Sequence, residues 1–158
     1  MAVGDIKWFA QGLLDLGNKI HNLGADTFKY GVLKSAASGG IDPTLATADP
    51  RWGAGGTTNL SSSQVATGGT SYTGPGTLAS VTWSLVSNVP TFRANAITLA
   101  QDASGFANGR WVVIYNDTDA GKRALGFLDL GSDRSLVTGQ LVLDWSGASN
   151  DILTLTQS

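Results

Sequence analysis

The sequence contains no cysteine and no glutamate, and it has a single histidine, His21. Without cysteine the chain can form no disulfide, no thiolate metal site and no cysteine nucleophile. All its acidic residues are aspartates, which favour caps and turns, whereas glutamate favours helix. These absences disfavour a helical fold and leave one imidazole to support any histidine-based catalysis or zinc binding.

Charge is also scarce, because charged residues make up 14% of the chain and the net charge is −2. The ten Lys and Arg residues are spread along the sequence, so there is no basic patch of the kind that binds nucleic acid. No apolar run is long enough to span a bilayer, and the first residues lack the apolar region of a signal peptide. We therefore expect neither a nucleic-acid partner nor association with a membrane.

Glycine is abundant, with 21 residues, and turn signals recur at short intervals along the chain. They separate strand-like runs at residues 26–35, 59–66, 78–86, 91–99, 111–116, 123–130, 141–145 and 152–156. This pattern predicts an all-β fold, namely an antiparallel sandwich or a jelly-roll-like barrel of about eight strands. We expect residues 1–158 to form a single domain, because no shift in composition divides the chain.

Alternation of apolar and polar residues predicts which side chains face the core. The inward sets are Phe28, Tyr30 and Val32 in the first strand, Val81, Trp83 and Leu85 in the third, and Leu141, Leu143 and Trp145 near the end. The run from Trp111 to Tyr115 is apolar at every position, so it predicts a central strand that is covered on both faces.

Two segments do not fit the strand pattern: an N-terminal arm at residues 1–25 and a long loop at residues 36–56. In the arm, Ile6, Phe9, Leu13 and Leu16 have the spacing of a short amphipathic helix over residues 5–16. Irregular segments seldom enter a core, so their large side chains need partners elsewhere. We therefore predict a protein interface formed by Trp8, Phe9, Ile41, Arg51 and Trp52, together with Tyr72, an aromatic residue outside these segments that core alternation does not explain.

No constellation of residues supports catalysis or a bound cofactor. We expect His21 to be an ordinary loop or surface residue, and Asp129 and Asp144 to be solvated or turn-bonded acids rather than a glycosidase pair. The segment 116–121 (NDTDAG) has oxygen side chains at alternating positions, as in part of a calcium loop, but it lacks the later bidentate Glu. We predict that it is a hairpin turn without a metal, and that the chain is not an enzyme.

Several segments resemble a family of small structural proteins of tailed bacteriophages: WVVIYNDT, ALGFLDLGSD and the closing pair TGQLVLDW and DILTLT. The resemblance implies an antiparallel β protein that decorates, or cements, the outside of the phage head. It implies assembly after synthesis in the cytoplasm of the bacterial host. Its partners would be the major capsid protein and copies of itself, as a dimer or trimer. No catalytic residues belong to the family.

Two other functions are compatible with the composition. A tail, baseplate or fibre component could bind a host receptor or glycan, with a shallow site formed by Trp52, Tyr72 and the 116–121 segment. A glycan hydrolase is the third possibility, because β sandwiches also carry such enzymes. The number of copies in each virion separates a head protein, with hundreds of copies, from a tail protein with few.

Overall fold

The computed structural model describes residues 6–45, 48–145 and 150–155. Within these residues the chain forms one α-helix, α1 (Ala10–Gly17), together with three short 3-10 helices at Ala36–Ser38, Pro43–Leu45 and Leu60–Ser63. The strands of the same residues are β1 (Lys7–Trp8), β2 (Phe28–Lys34), β3 (Pro50–Arg51), β4 (Thr58–Asn59), β5 (Gly76–Thr77), β6 (Thr82–Val86), β7 (Val89–Arg93), β8 (Ile97–Leu99), β9 (Gly109–Asn116), β10 (Ala124–Arg134), β11 (Leu141–Leu143) and β12 (Asp151–Thr154).

The largest sheet has five strands in the order β1-β10-β9-β2-β5, and all its neighbouring strands are antiparallel. Two smaller antiparallel sheets have the orders β12-β7-β6 and β11-β8, and β3 and β4 form a short parallel pair. The prediction of a mainly antiparallel β fold with one short helix is confirmed. In the part of the chain that the structure describes, the strands form these separate sheets and do not close into one barrel.

Strand β9 lies at the centre of the large sheet and is buried on both faces. Val112 and Ile114 belong to a first hydrophobic cluster on one face, while Trp111, Val113 and Tyr115 belong to a second cluster on the other. The prediction of a central strand covered on both sides is therefore confirmed. An apolar run at every position of a strand requires this arrangement, because successive side chains point to opposite faces.

The first cluster joins the large sheet to the two smaller antiparallel sheets. Phe92 of β7 packs edge-on against Phe28 of β2, with the ring centroids 5.2 Å apart. Trp145 is fully buried in this cluster, and its indole N–H donates to the carbonyl of Asn95 at 2.9 Å. The predicted inward positions of Leu141, Leu143 and Trp145 are confirmed.

The second cluster is covered by the segments that the sequence suggested would stay outside the core. Ile41 and Trp52, from the predicted long loop, pack against it, and Leu60 is fully buried in it. The loop is not structureless, because it contains two of the 3-10 helices and the strand β3.

Two strand predictions are wrong in part, and three short strands have no counterpart in the sequence prediction. Residues 59–66 form a 3-10 helix after Asn59, whose side chain accepts hydrogen bonds from the backbone N–H and the hydroxyl of Ser61. Such local bonds compete with a strand ladder. Residues 91–99 are divided between β7 and β8, and the short strands β1, β3 and β5 carry no alternation that would predict them.

The inward assignment of Trp83 and Leu85 is also wrong, because these side chains are 36% and 68% exposed. They lie on β6, which is one of the two edge strands of its sheet. Alternation shows that the two residues share one face of the strand. It cannot show whether the core extends far enough to cover that face.

Candidate protein-interaction surface

The six residues predicted to form an interface do not form one surface. Phe9 is buried in the second cluster against Phe127, with the ring centroids 5.2 Å apart. Tyr72 is buried in the first cluster, where its hydroxyl accepts a hydrogen bond from the backbone N–H of Val32 at 3.0 Å. Burial raises the pKa of Tyr72 to about 12. The expectation that these two aromatics find no place in the chain's own fold is wrong.

Trp8, Ile41, Arg51 and Trp52 are partly buried and also have partners within the chain. Trp8 packs against the first cluster, and Ile41 packs against the second. The guanidinium of Arg51 donates to both carboxylate oxygens of Asp49, and this bonding raises the pKa of Arg51. Each of these side chains therefore has a role in the fold, and an interface role for them stays a prediction.

The structure reveals a buried polar cluster that the sequence did not predict. His21 is 3% exposed, and its Nδ1 atom lies 3.2 Å from Nδ2 of Asn116, which also donates to Oδ2 of Asp26 at 2.7 Å. Burial lowers the pKa of His21. His21 lies in a loop, as predicted, but the expectation of a surface position is wrong, because residues 18–26 fold against the turn that follows β9.

Asp15 of α1 extends this cluster. Its carboxylate is 2% exposed and lies 3.6 Å from Nε of Arg123, which also binds Asp119. The amide of Gln11 donates to Oδ1 of Asp15 at 2.8 Å. The ion pair joins the helix to Arg123, immediately before β10, and His21 also lines an open surface pocket together with Leu16, Lys19 and Trp83.

The 116–121 segment is the turn between β9 and β10, as predicted. Oδ1 of Asn116 accepts hydrogen bonds from the backbone N–H groups of Thr118 and Asp119. Asp117 forms ion pairs with Lys122 and Lys29, and these bonds, that from Lys122 above all, lower the pKa of Asp117. The oxygen atoms that a calcium ion would need are thus engaged by the turn itself, and the absence of calcium binding stays a prediction.

The two carboxylates considered for glycoside hydrolysis have separate surroundings. Asp129 forms a two-point ion pair with Arg110 and also accepts the backbone N–H of Gly131, so it is turn-bonded as predicted. Asp144 is partly exposed, but its Oδ1 atom is buried without a hydrogen-bond partner, so the prediction of a solvated acid is met only in part. Among the described residues, no three His, Cys, Asp or Glu side chains converge closely enough to hold a metal ion.

Helix α1 presents the first apolar surface. Its inward residues are Gly12 and Asp15, whereas Leu13 and Leu14 are 47% and 56% exposed. The predicted inward stripe is therefore wrong at Leu13. Gly12 allows the helix to take this rotation about its own axis, because a Cβ atom at this position would overlap the backbone oxygen of Leu125. This close approach lets the helix lie directly on β10.

The hairpin of β6 and β7 presents the second apolar surface. Trp83 and Leu85 are its exposed large side chains, and β6 has no strand neighbour other than β7 in the described part of the chain. The two surfaces lie on different elements, and the sequence does not reveal either, because the exposed residues have the spacing of core residues.

Comparison with known protein families, characterised proteins and solved structures finds no match to this chain. The helix of the described residues is too short to cross a membrane.

Proposed function

We propose that this chain is a non-catalytic structural protein of a tailed-phage virion, which binds the outer surface of the head as a decoration protein. The observation that carries the proposal is the orientation of α1. A helix on a globular domain usually turns its apolar residues to the core. Here Leu13 and Leu14 face outward while Asp15 faces inward.

The exposed face of α1 is suited to binding a protein. The only charged residue of the helix is Asp15, and it is buried. Docking this face therefore desolvates no charge of the helix itself, and it removes two leucine side chains from water. Apolar area kept at the surface in this way is typical of interaction sites.

The phage assignment is supported by the resemblance of the sequence segments WVVIYNDT, ALGFLDLGSD, TGQLVLDW and DILTLT to phage structural proteins. These segments correspond to β9 with its turn, β10, β11 and β12, so they are parts of the sheet framework. For the fold, we propose that the large sheet and the two smaller antiparallel sheets stack as a sandwich around the first cluster. The partners in this proposal are the major capsid protein and further copies of the chain.

The number of copies in purified virions, measured by quantitative mass spectrometry against the major capsid protein, tests the location. A head decoration protein is expected at hundreds of copies. A few copies to a few dozen would instead favour a tail, baseplate or fibre component, and absence from the virion would contradict both.

The role of α1 is tested by rebinding to heads that lack the native protein. We expect the double variant Leu13→Ser, Leu14→Ser to weaken binding at least about tenfold, because each leucine loses apolar contact. The matched control is Val137→Ser, which changes an apolar side chain that is 40% exposed on another part of the surface. Equal binding of the two variants, with their folds intact, would show that α1 does not face the shell.

A further inference from the structure

Among the described residues, no strand pairs with the outer edge of β6. Thr82, Trp83, Ser84 and Leu85 are exposed, and the pairing with β7 runs from Thr82 to Val86 without a bulge. The chain carries no charged residue between Ala79 and Phe92. Sheet edges in natural proteins are usually protected by charges, prolines or bulges, because free backbone groups bind other strands.

The turn of the hairpin defines which backbone groups of β6 are free. Ser87 and Asn88 have φ angles of 50° and 65°, as in a two-residue type I′ turn. The closing pair Val86–Val89 is then hydrogen-bonded, and the next pair, Leu85–Pro90, is not.

The bonding of Pro90 is consistent with this alternation. Pro90 has no N–H to donate to β6, and its carbonyl accepts a hydrogen bond from the N–H of Leu155, on the side of β7 opposite β6. The N–H and C=O groups of Leu85, and by alternation those of Trp83, therefore point away from β7.

We propose that β6 pairs antiparallel with β6 of a second copy of this chain, about a two-fold axis at Ser84. In this register Trp83 lies opposite Leu85 of the partner subunit, so the outward groups of both strands meet in four backbone hydrogen bonds. If the axis lay between two residues instead, the N–H and C=O groups that point away from β7 on one strand would face residues whose groups point towards β7. None of the four hydrogen bonds would then form.

The side chains fit this arrangement. Trp83 and Leu85 lie on the same face of β6. The two-fold axis therefore places Trp83 of each subunit beside Leu85 of the other, and an aromatic side chain beside an aliphatic one is a favourable cross-strand pair. A two-fold axis brings any charge that lies close to it near its own copy, and the segment from Ala79 to Phe92 carries none. This self-complementarity favours a second copy over a strand of a different protein.

The pairing goes beyond the proposed function and does not depend on it. Two five-residue strands bury less than the roughly 1,200 Å² that stable complexes need, so free subunits should associate weakly. We expect dissociation constants of about 10 µM to 1 mM, and stronger pairing where subunits are held close together.

Association is tested by sedimentation velocity of the full chain at concentrations from about 10 µM to about 1 mM. We expect a monomer–dimer equilibrium that Ser84→Lys abolishes, because the axis places the two lysines directly opposite each other. An equimolar mixture of Ser84→Lys and Ser84→Asp should restore the dimer. A monomer throughout the range, or a dimer indifferent to Ser84→Lys, would overturn the proposal.

A second test uses the absence of cysteine in the chain. Residues at a non-hydrogen-bonded antiparallel pair have Cα atoms about 4.5 Å apart, within the range of a disulfide. Ser84→Cys should therefore form a covalent dimer under mild oxidation. The control is Thr98→Cys, at an exposed position of β8. Cross-linking of Ser84→Cys no faster than the control would contradict the two-fold axis at Ser84.

Discussion

The indole ring of Trp52 stacks on the phenol ring of Tyr115, with the ring planes 3° apart and the centroids separated by 5.2 Å. Tyr115 lies on the central strand β9 and is 3% exposed. The same indole covers Gly31 of β2, where a Cβ atom would overlap the ring. The segment that carries Trp52 is thus held on the second face of the large sheet by a stacked pair above a glycine.

We expect Trp52→Ala to lower the free energy of unfolding of the isolated chain by about 2–3 kcal/mol, because it removes the stacked ring and leaves a cavity over Gly31. The matched control, Leu85→Ala, removes an exposed side chain and should change the stability by less than about 0.5 kcal/mol. Denaturant unfolding of both variants measures the difference. Equal stability of Trp52→Ala and the parent would show that the stack contributes nothing to the fold.

The apolar run at β9 shows how much of the fold was readable from the sequence. The run predicts a strand covered on both faces. The face that belongs to the first cluster is covered by strands whose alternation of apolar and polar residues is visible in the sequence. Part of the cover of the second face comes from Ile41 and Trp52, in a loop without a repeating pattern, and Leu60 comes from a run that predicted a strand but forms a 3-10 helix. Such contacts depend on where a loop folds back, and no local pattern encodes that path.

The candidate surfaces were harder to predict for a related reason. Leu13 and Trp83 have the spacing of core residues, but spacing shows only which residues share a face. The rotation of α1 depends on a glycine that lets two backbones touch, and the exposure of β6 depends on its place at a sheet edge. Both depend on tertiary contacts. The burial of His21 is hard to predict for the same reason, because it depends on a turn that is distant in the sequence.

Gly12 and Gly17 of α1 provide a matched pair of substitutions. Alanine favours a helix over glycine by about 1 kcal/mol, so Gly17→Ala, with no heavy atom within 4 Å of the added Cβ, should leave stability unchanged or raise it. Gly12→Ala should instead lower the free energy of unfolding by about 2 kcal/mol, because backbone atoms of β10 cannot yield easily to the new methyl group. Thermal unfolding compares the two, and equal effects would contradict the close packing of α1 on β10.

Asp102 should contribute stability that disappears in acid. Its carboxylate accepts hydrogen bonds from the backbone N–H groups of Ser71, Ser104 and Thr70 and from the Thr70 hydroxyl. The bond from Ser71, followed by those from Ser104 and Thr70, lowers the pKa of Asp102 from 3.8 to about 2. Because the folded pKa lies below the unfolded value, the contribution is present above about pH 4 and is lost as the pH falls towards 2.

The variant Asp102→Asn should therefore be less stable than the parent near neutral pH, and the difference should shrink between about pH 4 and pH 2. Unfolding midpoints across this range measure it. Asp133→Asn is the control, since Asp133 accepts one hydrogen bond, from the Ser35 hydroxyl, where Asp102 accepts four. A constant difference between parent and Asp102→Asn over the whole range would show that the hydrogen bonds do not favour the charged carboxylate.

His21 should make the fold sensitive to mild acid, in a different pH range. Burial lowers its pKa, and this effect outweighs the opposing attraction of Asp15, Asp119 and Asp26; the charge of Arg123 lowers the pKa further. The folded pKa thus lies below the unfolded value of 6.5, so the unfolded chain takes up a proton first as the pH falls. The neutral imidazole stabilises the fold fully above about pH 7, and that contribution declines as the pH falls through 6.5 towards the folded pKa.

The variant His21→Gln keeps a polar side chain but cannot take up this proton. Between about pH 8 and pH 5, we expect the unfolding midpoint of the parent to fall by more than that of the variant. The titratable groups that both chains share affect both midpoints equally, so the difference reports His21. Direct titration of the imidazole by NMR provides the independent measurement, and it should give a pKa below 6.5 in the folded chain. A folded pKa above that value would mean that the neighbouring carboxylates outweigh burial, and the pH dependence would then have the opposite sign.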